Sequence, residues 1–214
     1  MLTVWGRQSS SNVQAVLWCL AELGVDHERV DAGFVYGVVD TPEYRAMNPN
    51  GTVPTVRDGD GPALFESGAI LRYLASRYAS EPFWPAEPRA RAQVDQWAEW
   101  AKQNVALYFT APVFWQTVRV PAARRDPAAI AAAVERLEGK LRIADARLAE
   151  RRFIAGETLT LADIQLGHVL YRYFDVPIER APLPRLRRYY EALAERPAYR
   201  EHVMVSYAEL ADSM

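Results

Sequence analysis

Apolar side chains along the first part of the chain recur in two rhythms, one of strand type and one of helix type. Leu2–Trp5 is a short β-type run, closed by Gly6 and the polar stretch Arg7–Ser11. Val13, Val16, Leu17, Leu20 and Leu23 then fall at helical spacing and predict a helix over Asn12–Leu23, with Gly24 as its stop. His27–Asp31 reads as a second strand, and a strand–helix–strand order of this length implies a right-handed parallel unit. After a loop and a short helix near Thr41–Met47 come two further strands, Pro54–Arg57 and Ala63–Phe65. The turn between them, Arg57-Asp58-Gly59-Asp60-Gly61, has hairpin chemistry. A helix over Ser67–Tyr78 follows, with Ile70, Leu71, Leu74 and Tyr78 on one side.

The order βαβ followed by ββα predicts a thioredoxin-like α/β domain over residues 1–79, built on a four-stranded mixed sheet. Three prolines within Ser80–Pro88 mark a linker over 80–88. Beyond it no convincing strand remains, and residues 89–214 read as an all-α bundle. The expected helices are Arg89–Gln116, kinked or shortened by Pro112, then Pro127–Glu150, Ala162–Phe174, Leu183–Ala194 and Ala198–Met204.

Composition narrows the function more than the fold. Half of the 214 residues are apolar, a quarter are charged, and the net charge is −2, so nothing points to nucleic acid or an anionic membrane as partner. No apolar run approaches the ~18 residues that span a bilayer. MLTVWGRQSS has neither a signal-peptide core nor transit-peptide character, which predicts a cytoplasmic protein. Cys19 is the single cysteine, so no disulfide framework is available, and its place on the apolar side of a helix predicts burial. His27, His168 and His202 lack metal-ligand spacing and no acidic cluster joins them; no metal is expected. Arginine is used almost to the exclusion of lysine (Lys102 and Lys140 are the only two) but is spread along the chain.

Three short constellations carry candidate chemistry. Ser9-Ser10-Ser11-Asn12 stands at the entrance of the first helix. Such residues cap a helix; they also furnish a hydroxyl and free N–H groups that suit an anion, a thiolate included. Asn48-Pro49-Asn50-Gly51-Thr52-Val53-Pro54-Thr55 is a turn leading into an edge strand. It is also where thioredoxin-like folds hold a cis proline, with the backbone of Val53 turned outward to pair with an extended peptide. In Phe65-Glu66-Ser67-Gly68-Ala69-Ile70, Ser67 is either a simple helix cap or, with Glu66, a seat for the carboxylate and ammonium of an amino-acid head group. Weak singly, the three point to one extended ligand.

With these residues in place, the chain resembles the glutathione transferase superfamily, and more narrowly its bacterial members of serine/asparagine type. The resemblance covers nearly the whole chain and rests on the Ser/Asn helix entrance, NPNGTVPT, LFESGAILRYL and Leu159-Thr160-Leu161-Ala162-Asp163-Ile164. The last segment is similar to the family's buried capping box, with Thr160 capping, Asp163 returning the bond, and Leu159 and Ile164 as the staple. It is a folding signal, so Asp163 is given no chemistry. The resemblance implies that Ser10 hydrogen-bonds the glutathione sulfur with Asn12 close by. It further implies that Val53, between Thr52 and Pro54, pairs with the cysteinyl backbone, and that Glu66 and Ser67 hold the γ-glutamyl end. Glutathione is then the co-substrate, and a small electrophile sits against the first helix of the second domain, where Trp97, Trp100, Asn104, Tyr108 and Trp115 are available. A homodimer through the third and fourth helices is also implied.

Two departures matter. Thr52 stands where many relatives carry Lys or Arg for the glycine carboxylate. Trp5 and Gly6 replace a tyrosine at the end of strand one, and the entrance loop has no cysteine. Two other readings stay open. One is reduction of peroxides or glutathione disulfides; the other is a transferase-like protein that binds glutathione without turnover. The acceptor, the choice among Ser9, Ser10 and Ser11, and loop 32–41 stay unassigned.

Overall fold

The computed structural model describes all 214 residues. A four-stranded sheet forms first, in the order β2-β1-β3-β4, from β1 (Leu2–Trp5), β2 (His27–Val30), β3 (Thr55–Asp58) and β4 (Leu64–Phe65). β1 runs parallel to β2, with Leu2 opposite His27, and antiparallel to β3, with Val4 opposite Val56. α1 (Ser11–Glu22) makes the crossover and packs beside α3 (Ser67–Tyr78), while α2 (Pro42–Met47) lies in the long connection to β3. This is the mixed thioredoxin-like sheet that the apolar pattern predicts. Its third strand begins one residue later than expected, because Pro54 has no N–H to give the ladder.

The second half is wholly helical: α4 (Pro88–Ala101), α5 (Leu107–Phe109), α6 (Pro127–Arg147), α7 (Leu161–Gly167), α8 (Leu170–Asp175), α9 (Pro184–Ala194) and α10 (Pro197–His202). The capping logic is explicit. Glu87 accepts from the N–H groups of Arg89 and Ala90 at the head of α4, and Asp126 does the same for Ala128 and Ala129 at α6. Each helix has proline at its first position, where no donor is lost.

Three expectations need correction. Pro112 does not break the first long helix: the path stays helical from Pro88 to Arg119 by way of wide π-type turns at Lys102–Ala106 and Thr110–Arg119. A proline is tolerated where the i→i−4 ladder is already opened. The single helix expected over Ala162–Phe174 is two, interrupted at His168 and Val169. Ser67 is the first helical residue of α3 and not its cap; Glu66 takes the cap position with φ 67°, a left-handed conformation for a residue with a side chain.

One contiguous apolar cluster runs from Leu2 to Leu210 and takes in both halves. At its centre Trp18 of α1 meets Tyr199 of α10 edge to face, with centroids 4.8 Å apart. Gly167 makes this approach possible, since a Cβ there stands 2.8 Å from the Trp18 ring and from Leu193 Cδ1. Glu22 accepts from Trp18 Nε1 at 2.8 Å and from Arg196 Nε and a terminal nitrogen at 2.7 and 2.5 Å, tying α1 to the turn before α10. The Asp163 carboxylate is buried and accepts from Thr160 N–H (2.8 Å), Ile154 N–H (2.9 Å) and Tyr189 O–H (2.8 Å), completing the box. Cys19, as its helical position predicts, is fully buried, and burial pushes its thiol pKa up. No helix is long and apolar enough to cross a membrane.

Candidate functional site

The polar residues after β1 have to turn the chain sharply into α1. A Cβ at Gly6 stands 2.4 Å from Val13, so only glycine fits between strand and helix. Gln14 Nε2 reaches back to the Gln8 carbonyl at 2.9 Å and fixes the loop. Ser9, Ser10 and Ser11 are all buried, and the hydroxyls of Ser10 and Ser11 have no protein partner whereas that of Ser9 does. Ser9 Oγ is occupied: it donates to Glu209 and accepts from Arg7 Nε at 3.1 Å. Ser10 holds the N-cap position in extended conformation, but its hydroxyl makes no capping bond and has no protein partner. That leaves its O–H free at the positive end of a twelve-residue helix, facing a cleft of about 300 Å³.

Across the cleft the turn before β3 is held from behind. The Thr52 carbonyl accepts from Tyr44 O–H at 2.7 Å and Asn48 Nδ2 at 2.8 Å. The Val53–Pro54 bond is cis, and neither the N–H nor the C=O of Val53 bonds within the chain. An edge of unpaired backbone therefore faces the Ser10 hydroxyl, as strand addition requires.

A third corner joins both halves of the chain. Lys102, in the first wide turn after α4, places Nζ 2.8 Å from Asn12 Oδ1 and 2.9 Å from Ser67 Oγ, and Ser67 Oγ lies 3.2 Å from Asn12 Oδ1. Burial pulls the Lys102 ammonium below its usual pKa, with Glu66 opposing. A cation beside the free N–H groups of a twelve-residue helix is a carboxylate seat. Apolar periodicity gives Lys102 no functional signature; its rarity in so arginine-rich a chain is the one signal the sequence carries.

Of the residues singled out by sequence, Ser10, Asn12, Thr52 and Val53 line the cleft. Ser67 joins them through Asn12 and Lys102. Pro54 is buried behind Val53, and exposed Glu66 immediately precedes Ser67. Trp100, Asn104 and Tyr108 are not among the lining side chains. Trp100 packs edge to face on Trp97 at 5.2 Å, and Tyr108 lies under Lys140 at 5.4 Å. The wide turns shift the side of the helix that meets the cleft, so that of the expected acceptor-side residues only Trp115 lines it, together with Thr110, Phe114 and Arg119. Loop 32–41 supplies Phe34, and residues near the end of the chain supply Leu210. No group of His, Cys, Asp and Glu side chains is arranged to hold a metal.

A thioredoxin-like sheet docked on a helical bundle, with one cleft between a helix entrance and a cis-proline edge, defines a class of two-domain proteins. The glutathione S-transferase N-terminal domain family matches residues 9–77, and the corresponding C-terminal domain family matches residues 127–192. Glutathione S-transferase GstB of Escherichia coli is 37% identical over 206 residues, covering 96% of this chain and 99% of that protein. Glutathione S-transferase 3 of Zea mays is 34% identical, covering 94% and 93%. A theta class glutathione S-transferase of Xanthomonas axonopodis pv. citri, solved with glutathione bound, superposes with a TM-score of 0.90 at 45% identity, covering 96% and 98%. The chain belongs to the glutathione S-transferase family.

Proposed function

We propose that this chain is a glutathione transferase in which Ser10 donates a hydrogen bond to the glutathione sulfur and holds it as thiolate. The observation that carries the reading is the buried, unpartnered Ser10 hydroxyl at the head of α1, opposite the unpaired backbone of Val53. A free thiol of pKa ~8.5 is only a few per cent ionised at neutral pH. One hydrogen bond to the charged form is worth ~1.5–3 kcal/mol, which lowers that pKa by roughly one to two units. Ser9 is a poorer donor because Glu209 already holds its proton.

The remaining groups align the peptide. Val53 N–H and C=O pair with the cysteinyl backbone. Ser67, Lys102 and Asn12 receive the γ-glutamyl carboxylate, and Glu66 its ammonium. Thr52 flanks the glycyl end. The acceptor lies against Phe34, Phe114 and Trp115, so the sulfur and the electrophilic carbon are held together, which replaces a bimolecular encounter. The sulfur forms the new bond to carbon, the leaving group departs with its electron pair, and the thiol proton passes to solvent. Residues 1–79 and 89–214, joined by linker 80–88, are the two functional units of a cytoplasmic homodimer in this reading.

Ultraviolet difference titration of glutathione against the protein tests it. A thiolate band with apparent pKa well below ~8.5 is expected, returning toward that value in Ser10→Ala with roughly a tenfold loss of turnover at neutral pH. Binding without a lowered pKa overturns the catalytic reading. A lowered pKa untouched by the substitution moves the donor to Ser11 or Asn12.

A further inference from the structure

Arginines crowd the half of the cleft away from Lys102. Arg7, from the loop after β1, and Arg119, at the end of the helical path from α4, lie over the Phe34 ring with guanidinium carbons 5.6 and 5.7 Å from its centroid. Arg119 is also 5.0 Å from the centroid of Trp115 and is steadied by Ser213 Oγ at 3.0 Å. Arg172 of α8 is 3% exposed, stands 4.7 Å from the Phe114 centroid and donates one terminal nitrogen to the Ser9 carbonyl at 2.6 Å. Its Nε is buried and has no partner. None of the three is in an ion pair with an acidic side chain within 4.0 Å. Glu209, the carboxylate whose charge acts on Arg7, makes its side-chain hydrogen bonds to the Ser9 and Tyr36 hydroxyls and not to a guanidinium.

Three guanidiniums converging on an aromatic-walled cavity with no acidic side chain in ion-pair contact carry a mutual electrostatic cost that Glu209 offsets in part at Arg7. A planar anion removes it, because guanidinium binds carboxylate through paired, charge-assisted hydrogen bonds. Resting on the transferase reading above, we infer that the preferred acceptor is an electrophile that carries its own carboxylate, bound by Arg7 and Arg119 against Phe34 with Arg172 behind them. A neutral electrophile of the same shape leaves the cations unpaired and is discriminated against. Arg172 holds the Ser9 carbonyl and Arg7 the Ser9 hydroxyl, so Arg119, which bonds neither, is the principal group to vary, and Arg7 is judged by the ratio of acid to amide.

The probe pair is 4-chloro-3-nitrobenzoate and 4-chloro-3-nitrobenzamide. In both, the thiolate sulfur bonds to C4, chloride leaves with the carbon–chlorine electron pair, and the thiol proton is released to solvent. Each rate is divided by the uncatalysed rate of the same compound. The wild type is expected to favour the acid. Arg119→Gln is expected to lower kcat/KM for the acid about ten- to a hundredfold, leaving the amide and the glutathione KM nearly unchanged, and Arg7→Gln, which also loses a bond to Ser9, is expected to lower the acid-to-amide ratio in the same direction. An acid-to-amide ratio near one, or one that neither substitution moves, overturns the inference while leaving the transferase reading intact. A rise in glutathione KM at constant ratio also overturns it, since the arginines then serve the glycyl carboxylate. If neither compound reacts, calorimetric titration of 3-nitrobenzoate and 3-nitrobenzamide into the glutathione-saturated protein decides. Tighter binding of the acid, lost in Arg119→Gln, supports the subsite, and equal binding removes it. Absence of any thiolate band in the same protein defeats the transferase reading itself.

Discussion

Two side chains of the cleft differ in how far local sequence reaches. The serine-rich helix entrance is legible as a polar cluster with two readings, helix cap or anion site, and the proposed role of Ser10 rests on its hydroxyl making no capping bond. The selection of Ser10 over Ser9 is not legible, since that depends on Glu209, some two hundred residues away, capturing the Ser9 proton. Lys102 is the same case, reaching ninety residues back to Asn12. Lys102→Met is expected to weaken S-methylglutathione binding about tenfold or more by calorimetry, with little change in the thiolate pKa, which the proposed reading assigns to Ser10. Because burial lowers the Lys102 pKa, its charge is lost earlier on alkalinisation than for an exposed lysine. Affinity should therefore fall with rising pH more steeply in the wild type than in Lys102→Arg, which keeps its charge.

At the scale of elements, every strand and most helices follow from apolar spacing, and the misses have local causes. A proline signals a break only if the helix is of ordinary pitch, and the wide turns around Pro112 remove that premise. The Phe34–Tyr36 turn and the stretch carrying Glu209 and Leu210 show no periodicity: Phe34 and Leu210 turn to the cleft, Val35 and Tyr36 stay exposed, and Glu209 accepts from Ser9 and Tyr36. The capping box before α7, by contrast, was readable as a motif of six residues. Asp163→Ala leaves the buried N–H groups of Thr160 and Ile154 and the Tyr189 hydroxyl without an acceptor. The expected loss is about 3 kcal/mol or more, read from urea midpoints, with glutathione affinity kept in the fraction that folds.

Taken as a whole molecule, the two halves share one core and are expected to unfold together. Gly167→Ala drives a methyl group into Trp18 and Leu193 and should cost about 1–3 kcal/mol, with a single lowered transition in differential scanning calorimetry. Separate transitions for the two halves contradict a shared core. Acid should loosen the same region. His168 is buried without a side-chain partner, and burial, aided by Lys102, lowers its pKa from 6.5 to about 3. The unfolded chain takes up that proton first, so stability is complete above pH ~6.5 and is lost as pH falls toward about 3, at up to ~1.4 kcal/mol per unit. His168→Phe is expected to flatten this part of the urea-midpoint profile.

The closed position of Cys19 bears on the working life of such a molecule. A catalyst that receives alkylating and arylating compounds is exposed to damage by them at every encounter, and a cysteine is the side chain they attack most readily. Here the only thiol of the chain is sealed in the core, its ionisation suppressed by burial, so the only sulfur nucleophile offered in the cleft arrives with glutathione and leaves with the product. Incubation with excess iodoacetamide in the folded state should add no carbamidomethyl group to Cys19 by mass spectrometry, and activity should survive once the reagent is removed. The reactive atom is thus a consumable, renewed at each turnover, and the protein around it is spared.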